Sequence, residues 1–124
     1  MAKVGDGFYG EVLSGIRAPV TRMNIHACEA WQVAEGGSAT WNPWNTTQPA
    51  AGASDYNSAH VKNYRDHATG VAATVRTLTN GHYAHILAEF RAGDGGLKVC
   101  QAVDASVWGT KHAADTYRRL FGPK

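Results

Sequence analysis

The chain has 124 residues, of which 44% are hydrophobic and 18% are charged. This length suits one domain with a hydrophobic core, and this composition is typical of a globular protein rather than a disordered one. The formal net charge of +2 is nearly balanced, which argues against a nucleic-acid-binding protein. No apolar run approaches the roughly 18 residues that a membrane span needs. We therefore expect one domain over residues 1–124, with neither nucleic acid nor membrane as a partner.

The N-terminal segment MAKVGDGFYGEV contains a G-x-G-x-x-G string, but too few residues precede it for the strand of a dinucleotide site. The segment also lacks the apolar stretch of a secretory signal. We therefore expect the protein to be made in a cytoplasm without a signal peptide. The two cysteines, Cys28 and Cys100, lie in apolar helical patterns and are predicted to be buried free thiols.

Hydrophobic periodicity predicts a mainly helical fold with about six helices. In chain order they cover about residues 7–17, 22–35, 67–79, 82–92, 97–107 and 111–121. Asp6, Thr21 and Asp66 are predicted to cap the first three of them. The side chains predicted to point inward are Phe8, Val12, Ile16, Asn24, Cys28, Trp31, Val71, Val75, Leu78, Ile86, Leu87, Phe90, Val99, Cys100, Val103, Ala114, Tyr117, Leu120 and Phe121. The second helix, which carries Trp31, is expected to be the central one.

Residues 38–64 form a long polar stretch without helical periodicity. Loops of this length inside a small domain are usually functional or disordered, and the four aromatic residues in this one argue against disorder. One or two short strands or a hairpin are predicted within it, around residues 60–64. The long loop, or a small hairpin within it, is expected to form a cleft.

Glu35 lies at the predicted C-terminal end of the second helix, directly before Gly36 and Gly37. The helix macrodipole and burial beside Trp31 both disfavour the ionised form of a carboxyl group there. A glutamate that keeps its proton can act as a general acid, for example on the bridging oxygen of a glycosidic bond. The alternative is a solvated glutamate at a helix end.

The loop offers flat aromatic faces for sugar rings and amide or hydroxyl groups for hydrogen bonds, a combination common in ligand sites. The alternative is that the tryptophans pack on the core and the amides cap turns. The predicted substrate-binding residues are Trp41, Asn42, Trp44, Asn45, Thr46, Thr47, Gln48, Tyr56, Asn57, Asn63 and Tyr64.

The segment Ala34-Glu35-Gly36-Gly37, followed by Asn42-Pro43 and Asn45-Thr46-Thr47-Gln48, resembles the start of a lysozyme-like domain of actinobacterial phages. The resemblance extends over about residues 20–110. Its further blocks are Tyr56-Asn57-Ser58, Val61-Lys62-Asn63-Tyr64, Gly70, Ala73-Thr74, Thr77-Leu78, Gly81-His82-Tyr83 and Trp108-Gly109-Thr110.

This resemblance implies the fold of the lysozyme and lytic-transglycosylase superfamily, in which a glutamate at a helix end is the catalytic acid. Glu35 matches that position, and residues 61–64 resemble the segment that lines the opposite wall of the cleft. The family tends to have a glycine where this chain has His60, so the histidine is expected to narrow the groove.

The sequence shows no obvious second carboxylate for glycoside hydrolysis. Asp55 is an optional helper, whereas Asp66 is more simply a helix cap. A transglycosylase-type reaction needs only one acid, because the N-acetyl group of the substrate stabilises the developing cation. His82 and His85 have the spacing of ligands on one helix face, but no third ligand completes a zinc site. Neither a metal nor a cofactor is expected.

Two functions follow as hypotheses. The first is a phage lysozyme-like enzyme that cleaves peptidoglycan glycan strands, as a glycosidase or a lytic transglycosylase, with Glu35 as its general acid. The second is a virion structural protein, such as a capsid decoration or tail component, that uses the same fold without activity. In the second case, the partners would be other virion proteins or copies of the chain itself.

Overall fold

The computed structural model describes residues 4–124, so the first three residues of the predicted domain lie outside the described part. Six α-helices and one pair of short strands occur in this part of the chain. In order they are α1 (Asp6–Gly15), α2 (Arg22–Glu35), β1 (Ser54–Asp55), β2 (Lys62–Asn63), α3 (His67–Leu78), α4 (Ala84–Ala92), α5 (Gly96–Ala105) and α6 (Ala113–Phe121). The prediction of a mainly helical fold is confirmed.

The central helix is α2, which packs against α1, α5 and α6. It begins after Thr21, whose hydroxyl accepts a hydrogen bond from the amide of Asn24 at 3.1 Å, as predicted. Its C-cap is Gly36, which has the left-handed φ of 65° that glycine adopts readily at a helix end. Its predicted inward side chains, including Cys28 and Trp31, are fully buried.

A stack of aromatic rings joins α2 to α1 and to the long loop. The rings of Trp31 and Trp44 lie parallel with centroids 3.9 Å apart, and Tyr9 stacks on the other side of Trp44 at 5.8 Å. Trp108 meets Trp31 edge-on at 4.8 Å. These rings supply much of the apolar surface that holds the loop on the helices.

Two of the three predicted N-caps were correct. The side chain of Asp66 accepts a hydrogen bond from the amide of Thr69 at 2.8 Å and caps α3. The prediction for Asp6 was wrong, because Gly5 is the N-cap of α1 and Asp6 is the first residue inside the helix. There, its carboxylate lies in the first turn, near the positive end of the helix macrodipole.

The inward faces of α1, α2 and α5 are those predicted, whereas α3 fully buries only Leu78 of its three predicted positions. Val71 and Val75 of α3 are only partly buried. The fully buried positions of α3 are Gly70, Ala73, Thr74, Thr77 and Leu78. This face lies so close to the loop that a Cβ added at Gly70 would stand 2.3 Å from the carbonyl oxygen of Trp41. In α6, Leu120 is 43% exposed and was wrongly predicted to point inward.

The long loop contains a hairpin, one of the predicted alternatives, formed by the antiparallel pair β1 and β2, in which Ser54 faces Asn63 and Asp55 faces Lys62. Only β2 lies within the predicted residues 60–64. Asn57 closes the hairpin turn, because its Oδ1 accepts hydrogen bonds from the amides two and four residues later at 3.1 and 3.2 Å. None of the helices described is long and apolar enough to cross a membrane.

Candidate functional site

Glu35 is the last residue of α2 and is partly buried. The side-chain amide of Asn45 donates a hydrogen bond to its Oε1 at 2.9 Å and another to its backbone oxygen at 3.2 Å. The hydroxyl of Thr110 donates to its Oε2. Both carboxylate oxygens are therefore held in place by donors from distant parts of the chain.

Thr110 is itself bonded to the core. The indole Nε1 of Trp31 donates to its Oγ1 at 3.1 Å, and both side chains are buried. The carboxylate of Glu35 is thus connected to the buried core through Thr110 and Trp31. The result is a fixed carboxylate rather than a mobile surface group.

The backbone around Glu35 depends on close contacts of the loop. A Cβ added at Gly37 would stand 2.0 Å from the carbonyl oxygen of Pro43, so the loop lies directly against the end of α2. Asn45 has a left-handed φ of 59°, which asparagine tolerates better than most residues. The indole Nε1 of Trp108 donates to the backbone oxygen of Trp44 at 2.9 Å and fixes the connection between α5 and α6 against the loop.

A cleft of about 160 Å³ opens next to this network. It is lined by Asn45, Thr46, Thr47, Thr77, Tyr83 and Trp108. Two of the lining residues are aromatic and contact each other, because the rings of Tyr83 and Trp108 have centroids 5.0 Å apart and are tilted by 54°. Asn45 connects the cleft to Glu35, because it lines the cleft and also donates to the carboxylate.

Several of the predicted substrate-binding residues make internal contacts that hold the loop. Asn42 is fully buried, and its amide group donates to the backbone oxygens of Thr46 and Lys62, both at 2.8 Å. Trp44 is 1% exposed, lies in the aromatic stack and donates to the backbone oxygen of Cys28 at 3.2 Å.

Some of the neighbouring loop residues are buried in the core, and others line the cleft. The hydroxyls of Thr46 and Thr77 lie 2.7 Å apart below the cleft, while Thr47 is exposed at its edge. Tyr64 is buried and donates to the backbone oxygen of Gln48 at 2.6 Å, and burial raises the pKa of the Tyr64 phenol to about 12. Trp41 is partly buried and stacks on Phe8 of α1 with centroids 6.3 Å apart.

The hairpin residues do not line the cleft. Asn57 holds the hairpin turn, and Oδ1 of Asn63 accepts a hydrogen bond from the amide of Thr40 at 3.0 Å. Tyr56 is 46% exposed and is the hairpin aromatic most accessible to a ligand. The structure therefore brings Asn45, Thr46 and Thr47 together at the cleft and places the predicted residues of the hairpin elsewhere.

Asp55 forms ion pairs on the surface of the hairpin. Its two carboxylate oxygens contact Lys62 at 2.5 Å and the ring of His60 at 3.0 Å. Hydrogen bonds from Lys62 first, and from His60 second, hold the pKa of Asp55 below its ordinary value. His60 has a left-handed φ of 66°, a conformation that glycine adopts more easily, and its exposed ring points to Asp55 instead of lining the cleft.

Four residues at the site were absent from the predicted set. They are Thr77, Tyr83, Trp108 and Thr110. All four occur in blocks that carry the lysozyme-like resemblance, which was a usable signal for them. Within residues 4–124, no cluster of three or more His, Cys, Asp or Glu side chains has the arrangement of a metal site.

No protein family, no curated protein and no solved structure matches this chain. The lysozyme-like resemblance thus stays a prediction, and a function has to be argued from the geometry around Glu35.

Proposed function

We propose that this chain is a lysozyme-like protein of phage origin that cleaves the glycan strands of peptidoglycan, with Glu35 as its general acid. The observation that carries the proposal is the fixed carboxylate of Glu35 at the end of α2, joined through Asn45 to a cleft with an aromatic wall. Glu35 does not itself line the cleft but is bonded to Asn45, which does, and an acid that can protonate the bridging oxygen is one of the groups that glycosidic-bond cleavage uses.

The cleft has the chemistry for sugar rings. Tyr83 and Trp108 line the cleft and supply aromatic rings against which a pyranose can pack. Asn45, Thr47 and Thr77 supply amide and hydroxyl groups that can hydrogen bond to the hydroxyl and N-acetyl groups of the glycan. The mixture of aromatic and neutral polar groups favours a carbohydrate over a strongly charged ligand.

In the proposed reaction, the proton of the Glu35 carboxyl moves to the bridging oxygen, and the electrons of the bond between C1 and that oxygen pass to the oxygen. The positive charge on the remaining sugar is stabilised by the N-acetyl oxygen of the substrate. Water in a glycosidase, or the 6-hydroxyl of the same sugar in a lytic transglycosylase, then bonds to C1, and the proton that it loses returns to the carboxylate of Glu35. Asp55 is an optional helper, but its ion pairs with Lys62 and His60 already neutralise its charge. A reaction with one protein carboxylate fits these contacts better.

The test is digestion of purified peptidoglycan by the wild-type protein and by a Glu35→Gln variant. Because a general acid contributes about 100-fold or more to the rate, we expect the variant to lose at least that factor in the release of muropeptides. Glu89→Gln in α4 is the matched control and should keep full activity, since the carboxylate of Glu89 pairs with His85 of its own helix and not with a residue that lines the cleft. Absence of release by the wild-type protein would refute the proposal.

A second candidate is a virion structural protein without activity, bound to other virion proteins or to copies of itself. It is favoured by the full engagement of Glu35, whose carboxylate joins α2 to the loop through Asn45 and to the segment before α6 through Thr110. A glutamate with a purely structural role would have such contacts. This candidate predicts no muropeptide release from any variant and a clear loss of thermal stability in Glu35→Gln.

A further inference from the structure

We infer that Thr110 is the positioning residue of Glu35: its hydroxyl fixes Oε2 and leaves Oε1 as the oxygen that transfers the proton. The inference rests on the proposed role of Glu35 as a general acid. It assigns a role in the site to Thr110, which lies in the connection between α5 and α6, 75 positions from Glu35 in the chain.

The direction of the Thr110 hydroxyl follows from its other partner. The indole N–H of Trp31 can only donate, so it occupies a lone pair of the Thr110 oxygen at 3.1 Å. The single hydroxyl hydrogen of Thr110 is then available for Oε2 of Glu35, where the hydrogen bond lies. Trp31 is 0% exposed and Thr110 5%, so water does not compete for either group.

The two carboxylate oxygens of Glu35 are consequently unequal. Oε1 contacts Asn45, which lines the cleft, whereas Oε2 contacts Thr110, which does not line it. The amide nitrogen of Asn45 has a second acceptor in the backbone oxygen of Glu35 at 3.2 Å. Asn45 therefore stays anchored when Oε1 carries a proton.

The different partners of Oε1 and Oε2 affect the proton transfer from Glu35 to the glycan. As the proton leaves Oε1 for the bridging oxygen, negative charge spreads over both carboxylate oxygens of Glu35. The hydrogen bond from Thr110 to Oε2 then strengthens, because hydrogen bonds to an ionised acceptor are stronger than those to a neutral one. A preformed donor of this kind stabilises the charge that develops in the transition state. Thr110 acts through Glu35 and does not need to touch the glycan.

The first experiment compares Thr110→Val with Thr110→Ser in the peptidoglycan digestion. Valine keeps the branched shape and removes the hydroxyl, so we expect kcat to fall about 10- to 100-fold with KM unchanged. Serine restores the hydroxyl, and we expect it to recover most of the lost kcat. A valine variant with full kcat, or a serine variant as impaired as the valine one, would overturn the inference.

The second experiment does not depend on glycan cleavage. The NMR signal of the Trp31 indole N–H should shift as acid protonates Glu35 in the wild-type protein, because Thr110 links the two groups. Glu35→Gln should abolish that shift, and so should Thr110→Val where it folds. If the wild-type signal does not respond to acid, or responds equally in Glu35→Gln, the link is absent. If the wild-type protein shows the shift but digests no peptidoglycan, the contact is real and the enzymatic proposal alone is refuted.

Discussion

Gly37 allows the loop to pack directly against the end of α2, next to Glu35. Because a Cβ at this position would stand 2.0 Å from the carbonyl oxygen of Pro43, Gly37→Ala must push the loop away from the end of α2. We expect the free energy of unfolding to fall by about 3 kcal/mol, the upper end for overpacked sites. Urea unfolding followed by tryptophan fluorescence measures this loss.

Gly36 provides the matched control for that substitution. It has a left-handed φ of 65° but open space around its missing Cβ. We therefore expect Gly36→Ala to cost only about 1 kcal/mol, the conformational penalty of an L-residue in this region. Equal losses from the two variants would mean that the close approach of Pro43 does not constrain the loop.

At the scale of single residues, the sequence predicted some parts of the site and not others. The position of Glu35 at a helix end follows from the glycines after it, which is local information. The hydrogen bond from Thr110 to Glu35 joins residues 75 positions apart, and no local pattern encodes it. The indole of Trp44 could equally have faced a ligand or the core, since composition does not say on which side of a loop a side chain packs.

The N-terminal cap of α3 makes a prediction at the scale of one element. Hydrogen bonding to Thr69 holds the pKa of Asp66 below its ordinary value of 3.8. A lowered carboxyl pKa stabilises the fold above the unfolded-state value, and the stabilisation disappears as the pH falls through the folded-state value. We expect the wild-type protein to be more stable than the Asp66→Asn variant near neutral pH. This difference in stability should disappear below about pH 4.

The measurement is thermal unfolding of the wild-type protein and Asp66→Asn at several pH values between neutral and strongly acidic. Asparagine can still accept the capping hydrogen bond but does not titrate, so the difference between the two proteins isolates the charge. A difference in melting temperature that stays constant across this range would show that the charge of Asp66 contributes nothing to the cap.

At the scale of elements, the helices were predictable because their caps and apolar periods are local. α3 is the informative exception. The periodicity rule selects Val71 and Val75 because they are its most apolar residues, but the fold buries the small stripe that includes Gly70 and Ala73. Gly70 of that stripe lies against the backbone of the loop at Trp41, where a larger side chain does not fit. A rule based on hydrophobicity misses a face selected for size.

At the scale of the whole molecule, one core joins the helices and the loop. It contains residues of α1 to α6 together with Trp44 from the loop. The carboxylate of Glu35 is anchored to this core through Thr110 and Trp31. The geometry of the site should therefore persist until the core itself unfolds. The reactivity of the two buried cysteines can report that unfolding.

Cys28 of α2 and Cys100 of α5 are both fully buried, and the thiol of Cys100 lies 3.8 Å from the backbone oxygen of Ala27. Burial raises the pKa of Cys100 to about 12 and that of Cys28 well above its ordinary value. Since the thiolate is the reactive form, neither thiol should react with a disulfide reagent at mildly alkaline pH while the chain is folded. Their labelling rate should then equal the rate of global unfolding measured independently in urea.

An exposed thiol, introduced as Ser14→Cys on α1, is the control and should be labelled at once. The two native thiols distinguish two ways in which the molecule can open. Equal and slow labelling would mean that α2 and α5 separate only on global unfolding, so any widening of the cleft for a glycan must come from the loop. Faster labelling of Cys100 than of Cys28 would instead show that α5 opens by itself, and Trp108, three residues beyond it, would move with it. In that case the aromatic wall of the cleft would be a mobile part of the site.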